Sequence, residues 1–197
     1  MTQREIPPEM AAQLRRAATT FAELGFERAR IEDLAATTGV PSSTIYYYLN
    51  GKEGLLAFLL TDWLDAVAAA VDAQLVGPGS GADRLARVIE AQFAVMAEYP
   101  ATCRVLLAEN GRIARLPEIA EAVQAAFHRP LAKVLHDGID GGEFRPCDVD
   151  ATVAAVYGAV TFGGLHYLVA GDPIPTQVVD NVRTLLLHGI VRPVERP

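Results

Sequence analysis

Residues 31–52 read IEDLAATTGVPSSTIYYYLNGK, and the rest of the chain is understood from this stretch outward. Ile31, Leu34 and Ala35 are spaced i, i+3, i+4, the apolar stripe of a short helix. Gly39 follows, where a sharp turn needs the positive φ that glycine adopts cheaply. Val40 can plug the gap between two helices. Pro41 suits a first helical position, and Ser42 and Ser43 are good helix starters. Ile45 and Leu49 form the inward stripe of a second helix, which leaves Ser42, Ser43, Thr44, Tyr46, Tyr47 and Tyr48 facing outward. Tyrosine hydroxyls and rings reach phosphates, sugars and base edges, and small Ser and Thr let a backbone approach a groove wall. The pattern fits a helix-turn-helix whose second helix enters the DNA major groove. Lys52 opens the next helix, where an ammonium and helix N-terminal amides can hold one phosphate together.

The run FAELGF followed by IEDLAATTGVPSSTIYYYLNGKEGLL resembles the N-terminal DNA-binding domain of TetR-family transcriptional regulators. The matching positions are Phe21, Gly25, Phe26, Ile31, Leu34, Ala35, Gly39, Val40, Thr44, Ile45, Tyr46, Tyr47, Leu49, Lys52, Glu53 and Leu55. The chain departs from the family pattern at four places. Arg30 stands where Thr is usual and can hold a phosphate by charge, though it cannot cap as Thr does. Leu49 replaces a Phe, Tyr48 a His, and Gly54 an acidic residue.

Half of the 197 residues are apolar, ample for a core. No continuous run of about 18 apolar residues and no basic-then-apolar leader is visible, so neither a membrane span nor a secretory signal is expected, and the chain reads as cytoplasmic. Cys103 and Cys147 lack metal-like or redox-like spacing and read as two reduced thiols. The net charge of −7 argues against a general nucleic-acid coat. Residues 1–54 carry six basic and seven acidic side chains, net −1; the remainder carries eleven and seventeen, net −6. DNA affinity therefore depends on local placement of Arg15, Arg16, Arg28, Arg30 and Lys52, with few phosphate ion pairs and a shallow salt dependence. Arg4, in a polar arm with Pro7 and Pro8, is a further candidate contact, weighed against a loose tail.

Helical spacing continues throughout, and no segment alternates at period two, so the fold reads as all-α with about nine helices. The division expected is 1–54 for DNA binding and 55–197 for ligand binding and dimerisation. A first helix spans about Glu9 to Leu24, and a fourth runs from near Gly51 to about Val76 into a second core. Gly77 to Gly81 is a connecting loop, lacking the Lys and the strand-to-helix context of a phosphate loop. Pro130 falls inside a helical pattern from Pro117 and should kink it. The four histidines are scattered, with no metal-binding or paired-carboxylate spacing, so no catalytic residue, metal or cofactor is expected.

Aromatic and sulfur-bearing residues lie beside helix breaks in the second half. Trp63, Phe93, Met96, Tyr99, Cys103, Phe127, Tyr157, Phe162 and His166 are candidates for a mostly apolar ligand pocket; ordinary core packing is the alternative for each. Ala151, Ala155, Ala159 and Gly163 recur every four residues on a late helix, and Val178, Val182, Leu185 and Leu186 share a face of the last one. Small residues in a row admit a close second helix, in a second copy or within the chain. The resemblance implies a homodimer whose last two helices pair across a two-fold axis, a double-stranded DNA operator, and an inducer pocket for a small molecule it does not name; repression is the family's usual outcome. A DNA-binding regulator answering to a protein partner or to no ligand, and a helical adaptor without DNA binding, remain alternatives.

Overall fold

The computed structural model describes residues 5–113 and 117–191; Arg4 lies outside them. Within these the protein is all-α, its extended pairing limited to a single bridge between Phe144 and Val191. The helices are α1 (Pro8–Leu14), α2 (Ala17–Leu24), α3 (Ile31–Thr38), α4 (Ser42–Leu49), α5 (Lys52–Leu75), α6 (Gly81–Glu98), α7 (Pro100–Ala108), α8 (Asn110–Ile113), α9 (Pro117–Val123), α10 (Arg129–Asp140), α11 (Val149–Ala170) and α12 (Thr176–Ile190).

Two departures from the sequence reading have local causes. The helix expected from Glu9 to Leu24 tightens at Arg15 and Arg16, where the amides of Ala18 and Thr19 bond to carbonyls three residues back. Pro130 brings a widening in place of a simple kink. Residues Gln124–His128 form a π turn between α9 and α10. Proline has no N–H to donate, and its ring collides with the carbonyl four residues earlier; one extra residue per turn relieves both.

The chain divides into two compact units, residues 1–63 with 99–120, and residues 64–98 with 121–197. The boundary expected after residue 54 falls within α5, inside the first of these. In the first unit Leu14, Phe21, Phe26, Leu34, Val40, Ile45, Leu49 and Leu55 are buried. There α2 packs on both α3 and α7, and the Phe21 and Phe26 rings stack with centroids 5.8 Å apart. In the second unit α6 packs against α10, α11 and α12 around Leu85, Ile89, Phe93, Phe127, Leu131 and Val156. Gly164 lets Met96 pack close on α11: a methyl group there would sit 2.5 Å from Met96 Cε, and the flexible side chain would have to shift.

By length and composition α5 and α11 could each cross a membrane, which counting unbroken apolar runs did not reveal. Isolated polar residues such as Thr61 and Asp62 interrupt the runs without lowering the mean enough. The apolar side chains Leu55, Leu59, Leu60, Leu64, Val67 and Val71 of α5 are buried within the protein.

Candidate nucleic-acid interface

The helix-turn-helix is built as its spacing requires. Gly39 ends α3 in the left-handed region at φ 74°, and its N–H donates to Ala35. Thr38, fully buried, donates its hydroxyl to the Leu34 carbonyl at 2.7 Å and accepts from the Val40 N–H at 3.2 Å, locking the turn from inside. Thr20 and Thr37 share a hydroxyl hydrogen bond of 2.8 Å that ties α2 to α3. Pro41 occupies the position before the first turn of α4, with φ −56° and ψ 142°, one residue earlier than expected, and Ser42 is the first helical residue. Asn50 closes α4 in the left-handed conformation at φ 56°, tolerable for an asparagine.

Ile45 and Leu49 point inward, and the outward face of α4 carries the tyrosines. Tyr46 and Tyr47 are 55% and 56% exposed and present their rings and hydroxyls outward. Tyr48 is half-buried and meets Tyr47 edge-on at 5.1 Å; Ser43 is exposed, and Ser42 and Thr44 half-buried.

The cations around this helix are engaged by partners within the protein while Arg15, Arg16 and Arg28 stay exposed, and sequence spacing could not show it, because most of those partners are distant in the chain. Arg15 grips Asp62 through two bonds of 2.7 and 2.8 Å. Arg16 donates to the Thr38 carbonyl at 2.6 Å, anchoring the end of α3. Arg28 donates to the Leu24 carbonyl at 2.8 Å. Lys52, expected at a phosphate, directs its ammonium to the carbonyls of Phe26, Glu27 and Ala29 at 3.0, 3.3 and 3.5 Å and lies 4.5 Å from the Phe26 ring centroid. An ammonium has three N–H groups, and the loop before α3 accepts all of them. The structure therefore assigns Lys52 to holding that loop. Arg112 covers the same ring at 4.1 Å and pairs with Glu27 and Glu109. Arg30 is exposed at the start of α3, where its own N–H is accepted by Asp33 at 3.1 Å. That single i, i+3 contact is the half of a capping box that Asp33 can supply; the Arg30 guanidinium has no acceptor for the other half.

The residues expected to line a pocket separate. In the first unit Trp63 and Cys103 are buried and Tyr99 half-buried. Burial pushes the Cys103 thiol up to about 12, against a smaller downward pull from Arg104. In the second unit Phe93, Met96 and Phe127 are buried, and Tyr157, half-buried, meets Phe127 edge-on at 5.0 Å. Burial raises the Tyr157 hydroxyl above its ordinary value, opposed by a hydrogen bond with Thr161. Phe162 and His166 do not join them: Phe162 is 64% exposed and His166 is exposed, both on the outer face of α11. Helix 11 is apolar all round, so hydropathy alone could not tell its inner stripe from its outer one.

Of the expected pairing surface, Ala151, Ala155 and Leu185 are exposed, Leu185 by 74%, and Ala159 and Leu186 are half-buried. Gly163 faces inward instead: a methyl group on it would lie 3.6 Å from Val182 and 3.8 Å from Val178 and Phe93. These contacts join α11 to α12 and α6 within one chain.

Residues 14–58 match the model for bacterial regulatory proteins of the tetR family, and residues 78–190 match the tetracyclin repressor-like C-terminal domain. The transcriptional repressor KstR2 of Mycolicibacterium smegmatis is 25% identical over 185 residues, covering 91% of this chain and 89% of its own. The ketosteroid regulator KstR2 of Mycobacterium tuberculosis has the same fold, with a TM-score of 0.78 at 24% identity over 96% of this chain and 98% of its own. So does FadR of Bacillus subtilis, solved in complex with stearoyl-CoA, with a TM-score of 0.77 at 21% identity over 90% and 98%. With a recognition helix faced by tyrosines and both family domains matched, the chain belongs to the tetR family of transcriptional regulators, and it is a DNA-binding protein, not an enzyme.

Proposed function

We propose that this protein is a ligand-responsive repressor, released from a palindromic operator by a small, largely apolar molecule. Residues 1–54 read the DNA, and residues 55–197 hold the effector and pair two copies. The observation that carries the reading is the exposure of Tyr46 and Tyr47 on a helix that follows a turn held by Arg16 and Thr38. With Arg15, Arg16, Arg28 and Lys52 each engaged within the protein, Arg30 and the polar groups of Ser42, Ser43, Thr44, Tyr46, Tyr47 and Tyr48 make the DNA contacts. Two recognition helices must lie roughly 34–36 Å apart to read two half-sites. Pairing through the outer faces of α11 and α12, where Phe162 and Leu185 stand exposed, supplies the two-fold axis. The KstR2 and FadR relatives, one a ketosteroid regulator and one bound to stearoyl-CoA, favour an apolar effector. The protein acts in the cytoplasm, where its operator is.

Release follows from differential affinity: an effector shifts the equilibrium only as far as it prefers the non-binding arrangement. Fluorescence anisotropy with the duplex upstream of the protein's own gene, beside a scrambled duplex, tests the reading. Saturation at one dimer per palindrome on the upstream duplex alone supports it. No binding to any genomic duplex at low salt, with or without apolar additives, would remove it.

A further inference from the structure

Gln92 is fully buried on α6, and neither its amide nitrogen nor its carbonyl oxygen has a hydrogen-bond partner. Such groups destabilise a core and are nearly always satisfied in native proteins, by the protein, by water or by a ligand. Its neighbours one turn away, Val88, Ile89, Val95 and Met96, are buried and apolar. Across from it runs α11. The two helices touch where Met96 lies against Gly164. Thr161 is a second buried polar residue of this unit, on α11, and its hydroxyl bonds Tyr157. The interior of the second unit thus holds few polar side chains in apolar surroundings, and no charged side chain is among its described buried residues.

We infer that Gln92 is the polar anchor of the effector site and selects a neutral, largely apolar molecule whose head both donates and accepts a hydrogen bond, a hydroxyl or a carboxamide. The inference rests on the effector-responsive reading above and narrows it. The orphan carbonyl oxygen needs a donor and the orphan nitrogen an acceptor, and a hydroxyl or carboxamide meets both. A carboxylate offers acceptors alone, an ammonium donors alone, and each leaves one atom of Gln92 unsatisfied while bringing a charge with no buried counter-ion.

The test uses the full chain and its Gln92→Met variant, with 1-decanol, decanoate and decylammonium as probes at neutral pH. Thermal unfolding without probe comes first: removing an unsatisfied amide should raise Tm in the variant. Wild type should bind decanol at least about tenfold more tightly than either charged probe, and the variant should lose about tenfold in decanol affinity, the worth of one hydrogen-bonded pair. A variant less stable than wild type would show the amide already satisfied by buried water, overturning the assignment. Equal affinity for decanoate, or binding of none of the three probes, would overturn it as well. If decanol binds through Gln92 but leaves operator affinity unchanged, the anchor stands and the effector reading falls.

Discussion

Replacing Lys52 with methionine separates two roles that a family pattern cannot. Methionine keeps the stem of the side chain and deletes only the ammonium. In the structure that ammonium makes a hydrogen bond of 3.0 Å and two longer ones to loop carbonyls, and a contact with the Phe26 ring. A hydrogen bond to a charged group contributes about 1.5–3 kcal/mol, and a partly exposed cation–π contact about 0.5–1. The site is only part-buried and the freed carbonyls can take water, so the lower part of the range applies, about 1.5–2 kcal/mol. For a chain of 197 residues that is a fall in Tm of about 3–8 °C. The second readout is the slope of log affinity for the operator against log salt. Because the ammonium faces the loop, the slope should not change, whereas losing a phosphate contact would lower it by about one. An unchanged Tm together with a slope lowered by one would refute the assignment and return Lys52 to the DNA.

Tyr46→Phe and Tyr47→Phe, each removing one exposed hydroxyl, should weaken operator binding about fivefold apiece in anisotropy titrations while the dimer persists in sedimentation. Phe162→Glu should raise the dimer dissociation constant by at least about 30-fold, since burying such a ring contributes about 2–3 kcal/mol; a variant as dimeric as wild type would move the interface off α11. Thiol titration of the native protein near pH 8 should detect Cys147 promptly and Cys103 only after denaturation, because the Cys103 thiol, held near 12 by burial, stays protonated and covered.

The helix-turn-helix was legible in the sequence because its constraints are local. The Gly39 turn, the Ile45 and Leu49 stripe and the outward tyrosines depend on residues within one or two turns. The destinations of Arg15, Arg16 and Lys52 were not, since their partners at Asp62, Thr38 and the Phe26 loop lie 22 to 47 residues away. The face of α11 was ambiguous for a different reason. A helix apolar all round carries no hydropathy contrast, so Phe162 and His166 could not be assigned to its outer side, nor Gly163 to its inner one. Pro130 announced a disturbance but not its form, because a kink and a π turn relieve the same clash.

The first unit joins residues 1–63 to residues 99–120, with α2 lying against α7. This bears on the order of events at the ribosome. Chains emerge N-terminus first at about 5–20 residues per second, so the segment that covers α2 is completed about 3–11 s after residue 63. Through that interval the newborn DNA-reading helices exist with the apolar side of α2 open to water, a natural landing place for a chaperone. The unit that carries the DNA-reading helices is thus complete only once residue 120 has been made.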